Sequence, residues 1–149
     1  MSHFDIPHRA WVVVADGEKA LFLYNEGDKL YPNLKVFREE HQDNPPTREQ
    51  AANRPGRYND GPSPHRSAVD DTDWHQLEKT RFARELSDIL YRQAHKHRFD
   101  HLIIVAPPAT LGELRHELHQ EVTEKIIGEV DKTLTNHPIG EIEAILTGD

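Results

Sequence analysis

The arginines of residues 44–66 are the side chains of this chain best suited to chemistry. The segment reads NPPTREQAANRPGRYNDGPSPHR and carries Arg48, Arg54, Arg57 and Arg66 against Glu49 and Asp60 alone. It is therefore net +2 within a chain of net −8, which leaves −10 for the remainder. A guanidinium is a planar five-donor fork that matches phosphate or carboxylate. Pro55-Gly56 supplies a turn that would hold Arg54 and Arg57 on a stiff tip, with Tyr58 beside them to stack on a base. This arrangement points to an RNA or phosphate contact. The competing reading is internal, with the arginines pairing with the acidic body of the same chain and pinning the segment down.

Other groups are weaker candidates. Eleven histidines invite a metal reading, among them His65, His75, His95, His97, His101, His116 and His119. Their spacing does not fit one. His95 and His97 are two apart on an expected helix and point different ways. His116-Glu117-Leu118-His119 is HExH, not the HExxH that puts two imidazoles on one helical face. With no cysteine in the chain, a zinc site would need His and carboxylate ligands gathered from afar, so solvated histidines are the simpler reading and no metal or other cofactor is expected. Asp16 follows the first expected strand, where a ribonuclease H-like nuclease would hold a divalent ion. It is followed by Gly17 and fits a hairpin turn better. Thr110 opens a helix at the carboxyl end of a strand, where helix amides attract anions. There, however, Thr110-Leu111-Gly112-Glu113 also reads as an ordinary S/T-x-x-E capping box. Ser63, Ser67 and Ser87 lack the context of a nucleophile elbow, so no catalytic residue is assigned.

The bulk composition bounds the rest. A chain of 149 residues, 36% hydrophobic and 30% charged, suits one domain with a polar surface. No run approaches the roughly 18 apolar residues of a membrane span. Residues 1–9 have no apolar signal core, and the lack of cysteine fits the cytoplasm, so a cytoplasmic location is expected. A charge of −8 argues against wrapping a polyanion over the whole surface, and leaves the basic segment as the place to meet RNA, a ribosome or an acidic protein.

The elements that must position these groups follow from periodicity. Residues 10–15 (AWVVVA) predict a buried strand and Asp16-Gly17 a hairpin. Residues 18–24 predict the return strand and Leu34–Arg38 a third. Residues 44–72 are expected to form a long loop, of a kind uncommon in compact domains unless functional. Asp73 with Gln76 predicts a helix start, and Leu77, Phe82, Leu86, Ile89, Leu90 and Ala94 give that helix one apolar face over about 24 residues. Residues 101–106 (HLIIVA) predict a central strand covered on both faces. A helix follows from Thr110, then an edge strand at 124–131 and a short helix after Pro138. Right-handed crossovers give a mixed five-stranded sheet of order 3-2-1-4-5 between helical layers.

The stretches VVVADGEKALFLY, RPGR, FARELSDIL, HLIIVAPPATLGELR and IIGEVDKTLTNHPIGEIEAIL together resemble the bacterial host attachment protein family, which is related to the middle domain of archaeal and eukaryotic class I release factors. The resemblance implies a three-layer α/β/α fold of ribonuclease H-like, translational machinery component-like type, and a ribosome or tRNA-like RNA as the partner class. It also implies attachment to host cells, against which the polar N-terminus counts. The release-factor relatives use a Gly-Gly-Gln loop to assist peptidyl-tRNA hydrolysis. This chain has no Gly-Gly-Gln and shows Arg54-Pro55-Gly56-Arg57 instead, which argues against peptide release. The expectation is a non-enzymatic binding or adaptor domain with 44–66 as its contact surface. The alternatives are a divergent release-factor-like hydrolase, a metal-dependent nuclease, and a surface adhesion factor.

Overall fold

The middle of the sheet is made of two strands that are apolar at every position. β1 (Trp11–Ala15, WVVVA) and β4 (Leu102–Ala106, LIIVA) are buried throughout. They pair in parallel from Trp11↔Leu102 to Val14↔Val105. A strand reads this way only when helices cover both faces of its sheet. In this computed structural model, residues 5–42 and 64–148 are described, without the side chains of 64–76, 78 and 79.

β2 (Lys19–Asn25) runs antiparallel to β1, and β3 (Leu34–His41) antiparallel to β2. β5 (Ile126–Asp131) lies parallel to β4. The order is β3-β2-β1-β4-β5, as the crossover argument requires. One face carries Val13, Phe22 and Ile104 against Phe82, Leu86 and Leu90 of α1 (Pro64–His95) and Leu111 and Leu114 of α2 (Pro108–Glu117). The other carries Val12, Leu23, Ile103 and Val105 against Ile142 and Leu146 of α4 (Ile139–Thr147). The protein is a three-layer α/β/α domain. A four-residue helix, α3 (Gln120–Thr123), precedes β5.

Several boundaries differ from expectation for identifiable reasons. α1 begins at Pro64, not at Asp73, so residues 64–72 belong to the helix and not to the preceding loop. The Asp73–Gln76 capping signal lies in its interior. α2 begins at Pro108, with Pro107 in extended geometry as its N-cap and no side-chain cap. Proline suits the first helical position because its φ is already helical and no amide is lost there. Thr110 is thus the third helical residue, and the predicted capping box does not form. Glu113 instead accepts the Thr80 hydroxyl of α1 at 3.1 Å.

The β1–β2 turn is one residue out of the predicted phase. Ala15 pairs with Ala20, and Asp16 N donates to Lys19 O at 2.9 Å. The central residues are therefore Gly17 and Glu18 rather than Asp16 and Gly17. Asp16 holds this turn with its side chain, as Oδ1 accepts from the amides of Glu18 (2.7 Å) and Lys19 (2.8 Å).

β3 carries a bulge. Leu23 stands opposite Val36 and Phe22 opposite Arg38, so Phe37 has no partner on β2. An inserted residue reverses the in-out alternation beyond it. Arg38 consequently lies over the Phe22 ring, 5.9 Å from its centroid, on the same face on which Phe37 meets Trp11.

Candidate functional site

Among the described residues, chemistry-bearing side chains come together in at least two places. The first is the crevice at the carboxyl ends of β1 and β4, the switch point of the sheet. Asp16 and Gly17 from the β1–β2 turn face Ala109, Thr110 and Glu113 of α2 and Phe82, Ala83 and Leu86 of α1. The cleft they enclose measures about 10 Å³, room for about one water. Asp16 is fully engaged there. Beyond the two amides on Oδ1, its Oδ2 accepts the hydroxyl of buried Thr135 at 2.6 Å. These bonds favour the turn reading of Asp16 over the metal-ligand reading.

The basic segment departs from this same end of the sheet. β3 ends at His41 opposite Lys19, and Gln42 N donates to Glu18 O at 2.7 Å. Arg48, Arg54, Arg57 and Tyr58 lie outside the described residues. Arg66 falls in the first turn of α1 by its backbone, and its side chain is likewise outside the description. Of the predicted binding residues, Thr110 alone is placed with its side chain, half-buried in the wall of the crevice.

The histidines whose surroundings are described have structural or solvent-facing roles. His119 Nδ1 accepts the Glu121 amide at 3.0 Å and caps α3. His95 faces Glu121 at 3.4 Å, and His137 pairs with Glu141 one turn on. His101 and His116 are exposed. Among the described residues no three His, Asp or Glu side chains gather as metal ligands would. Ser87 is buried and donates its hydroxyl to the Glu117 carbonyl at 2.7 Å, closing the end of α2.

The second region lies at the opposite end of the sheet and was not visible in the sequence. A groove of about 560 Å³ runs between the start of β1, the bulged part of β3 and the end of α1. Its floor is aromatic: Trp11 is held between Phe37 (4.7 Å between centroids) and Phe99 (4.6 Å), with Tyr24 5.8 Å from Phe37. Its rim carries Arg9, Arg38 and Arg98. Three arginines spread over ninety positions give no local motif, and the bulge that aims Phe37 and Arg38 together leaves no sequence signal.

A mixed sheet of this order between helical layers, with a basic insertion after its third strand, defines the class of domain. The chain belongs to bacterial archaeo-eukaryotic release factor family 12, whose pattern matches residues 9–146. Among solved structures it is similar to an archaeal translation termination factor, aRF1, at 12% identity and a TM-score of 0.44, covering 83% of this chain and 30% of that one. It is also similar to a structure described only as an archaeal protein, at 13% identity and a TM-score of 0.41, covering 94% of this chain and 36% of that one. The chain thus spans about a third of the length of the solved structures it matches. No curated protein matches it. No described helix is long and apolar enough to cross a membrane.

Proposed function

We propose that this chain is a non-enzymatic adaptor domain that docks on the ribosome or on ribosome-associated RNA through residues 44–66. The observation that carries the reading is a conjunction. The chain belongs to a release factor family over residues 9–146, and its net +2 segment springs from the switch-point end of an otherwise acidic body. Arginines on an insertion of this kind meet phosphates as forks, and Tyr58 offers a face to an unstacked base. A hydrolase or a nuclease has less support. The sequence has no Gly-Gly-Gln, and both oxygens of Asp16 are committed to the fold. Attachment to host cells has no feature of this geometry behind it.

The test is gradient sedimentation of the tagged protein from gently lysed cells, with and without ribonuclease. Co-migration with ribosomal particles, lost on ribonuclease treatment and lost in the Arg54→Glu, Arg57→Glu double variant at unchanged melting temperature, is the expected result. Migration at the protein's own mass in both conditions sinks the proposal.

A further inference from the structure

The aromatic groove at the far end of the sheet is unlike the rest of this acidic surface. None of the described residues that line it is acidic. Arg38 is tied to Glu40 at 2.7 Å. Arg9 and Arg98 have no carboxylate partner among the described residues, although the chain holds 26 acidic side chains against 18 Lys and Arg. These two exposed guanidiniums on one groove offer an incoming anion charge-assisted donors. The floor is suited to stacking. Trp11 is only 8% exposed and is closed off by its neighbours, whereas Phe37 is 42% exposed and turns its outer face to the groove.

The backbone is also strained at this place. Arg9 (φ 72°) and His97 (φ 58°) are the only non-glycine positive-φ residues among those described. Both sit at the groove, Arg9 on its rim and His97 just before Arg98. His97 ends α1 in a Schellman motif: its amide donates to Ala94 O at 2.9 Å, and the Arg98 amide to Gln93 O at 3.0 Å. That turn sets both Gln93 and Arg98 on the groove wall. Arg9 is held in the same left-handed region with its amide donating to Asn25 O at 2.7 Å.

We propose that this groove binds a nucleoside monophosphate, with its base stacked on Phe37 and its phosphate held between Arg9 and Arg98. The Gln93 amide supplies a donor and an acceptor for a base edge. The volume falls within the 300–1,000 Å³ typical of small-ligand pockets. A single nucleotide suits the −8 chain better than a strand of RNA, since its charge is met locally while a polyanion would run on over acidic surface. This site is separate from residues 44–66 and stands independently of their role.

Calorimetric titration of the full chain with AMP, GMP and UMP tests the proposal, with adenosine and ribose 5-phosphate as half-ligands. Saturable binding is expected for at least one monophosphate, weakened tenfold or more when either half is missing. Arg98→Glu and Arg9→Gln should each weaken it at least tenfold without lowering the melting temperature. The Arg54→Glu, Arg57→Glu pair should leave it unchanged, which separates this site from the docking segment. Absence of saturable binding overturns the proposal, as does binding indifferent to Arg9 and Arg98. Silence with mononucleotides combined with affinity that climbs with oligonucleotide length also overturns it, in favour of an RNA track.

Discussion

The Thr135 hydroxyl donates to Asp16 Oδ2 at 2.6 Å, tying the loop after β5 to the end of β1 across 119 positions of sequence. With the Glu18 and Lys19 amides on Oδ1, one carboxylate holds both the β1–β2 turn and a distant loop together. Asp16→Ala leaves three donors without their acceptor. A loss of about 1–3 kcal/mol of stability is expected, read as a lower urea midpoint at constant m-value. Thr135→Val removes one of the three and should cost about 1 kcal/mol. A cost for Asp16→Ala no larger than that for Thr135→Val would show that the turn holds itself.

Asn25 is a second tie of this kind. It is fully buried at the end of β2, and its Nδ2 donates to Ile6 O at 2.8 Å while its Oδ1 accepts from the Gly27 and Asn33 amides at 2.9 and 2.8 Å. Asn25→Ala strands these groups and should cost about 2–3 kcal/mol. Gly27 is required in the same turn by lack of space, since a Cβ there would sit 2.0 Å from the Tyr31 carbonyl oxygen. Gly27→Ala should raise amide exchange across residues 26–33 before it affects the sheet.

The left-handed His97 predicts a stabilising change. Non-glycine residues in this conformation carry about 1–2 kcal/mol of steric cost, and glycine gives back part of the relief as unfolded-chain entropy. His97→Gly should therefore raise stability by about 0.5–1 kcal/mol in chemical denaturation. An unchanged or lower midpoint would mean that the imidazole makes a compensating contact.

Tyr24 supplies the pH-dependent prediction. Its phenol donates to Glu26 Oε2 at 3.0 Å. This hydrogen bond, then the carboxylate's charge and then desolvation raise its pKa above the ordinary 10.0. A raised folded-state value means that the bond's contribution is complete below pH 10.0 and fades as pH climbs through the raised value. Absorbance titration at alkaline pH should show a tyrosine transition above the ordinary phenol range, and Glu26→Gln should lower it.

The sheet order was legible because WVVVA and LIIVA admit only a central, doubly covered position, and the meander and crossover rules fix the remainder. The start of α1 was not, because the apolar stripe that marks a helix begins near Leu77, while PHRSAVDDTDWHQ has no comparable stripe. At Thr110 a correct local signal lost to a stronger one, as Pro107-Pro108 begins the helix two residues earlier. The basic segment was legible from composition alone. The groove was not, because Arg9, Phe37 and Arg98 meet only after a bulge and a helix end have turned them toward each other.

The two outer strands among the described residues bear on how copies of this chain meet. β3 ends the sheet on one side with Arg38-Glu39-Glu40-His41, and β5 ends it on the other with Glu129 and Asp131. Unpaired strand edges are templates for aggregation unless charge blunts them. A second molecule aligning its β5 or the end of its β3 against the same strand would have to desolvate these charges and their ion pairs, Arg115–Glu129 at 2.6 Å and Arg38–Glu40 at 2.7 Å. The apolar strength of this sheet is confined to its middle, and the charged side chains along its outer strands blunt them against pairing with another copy.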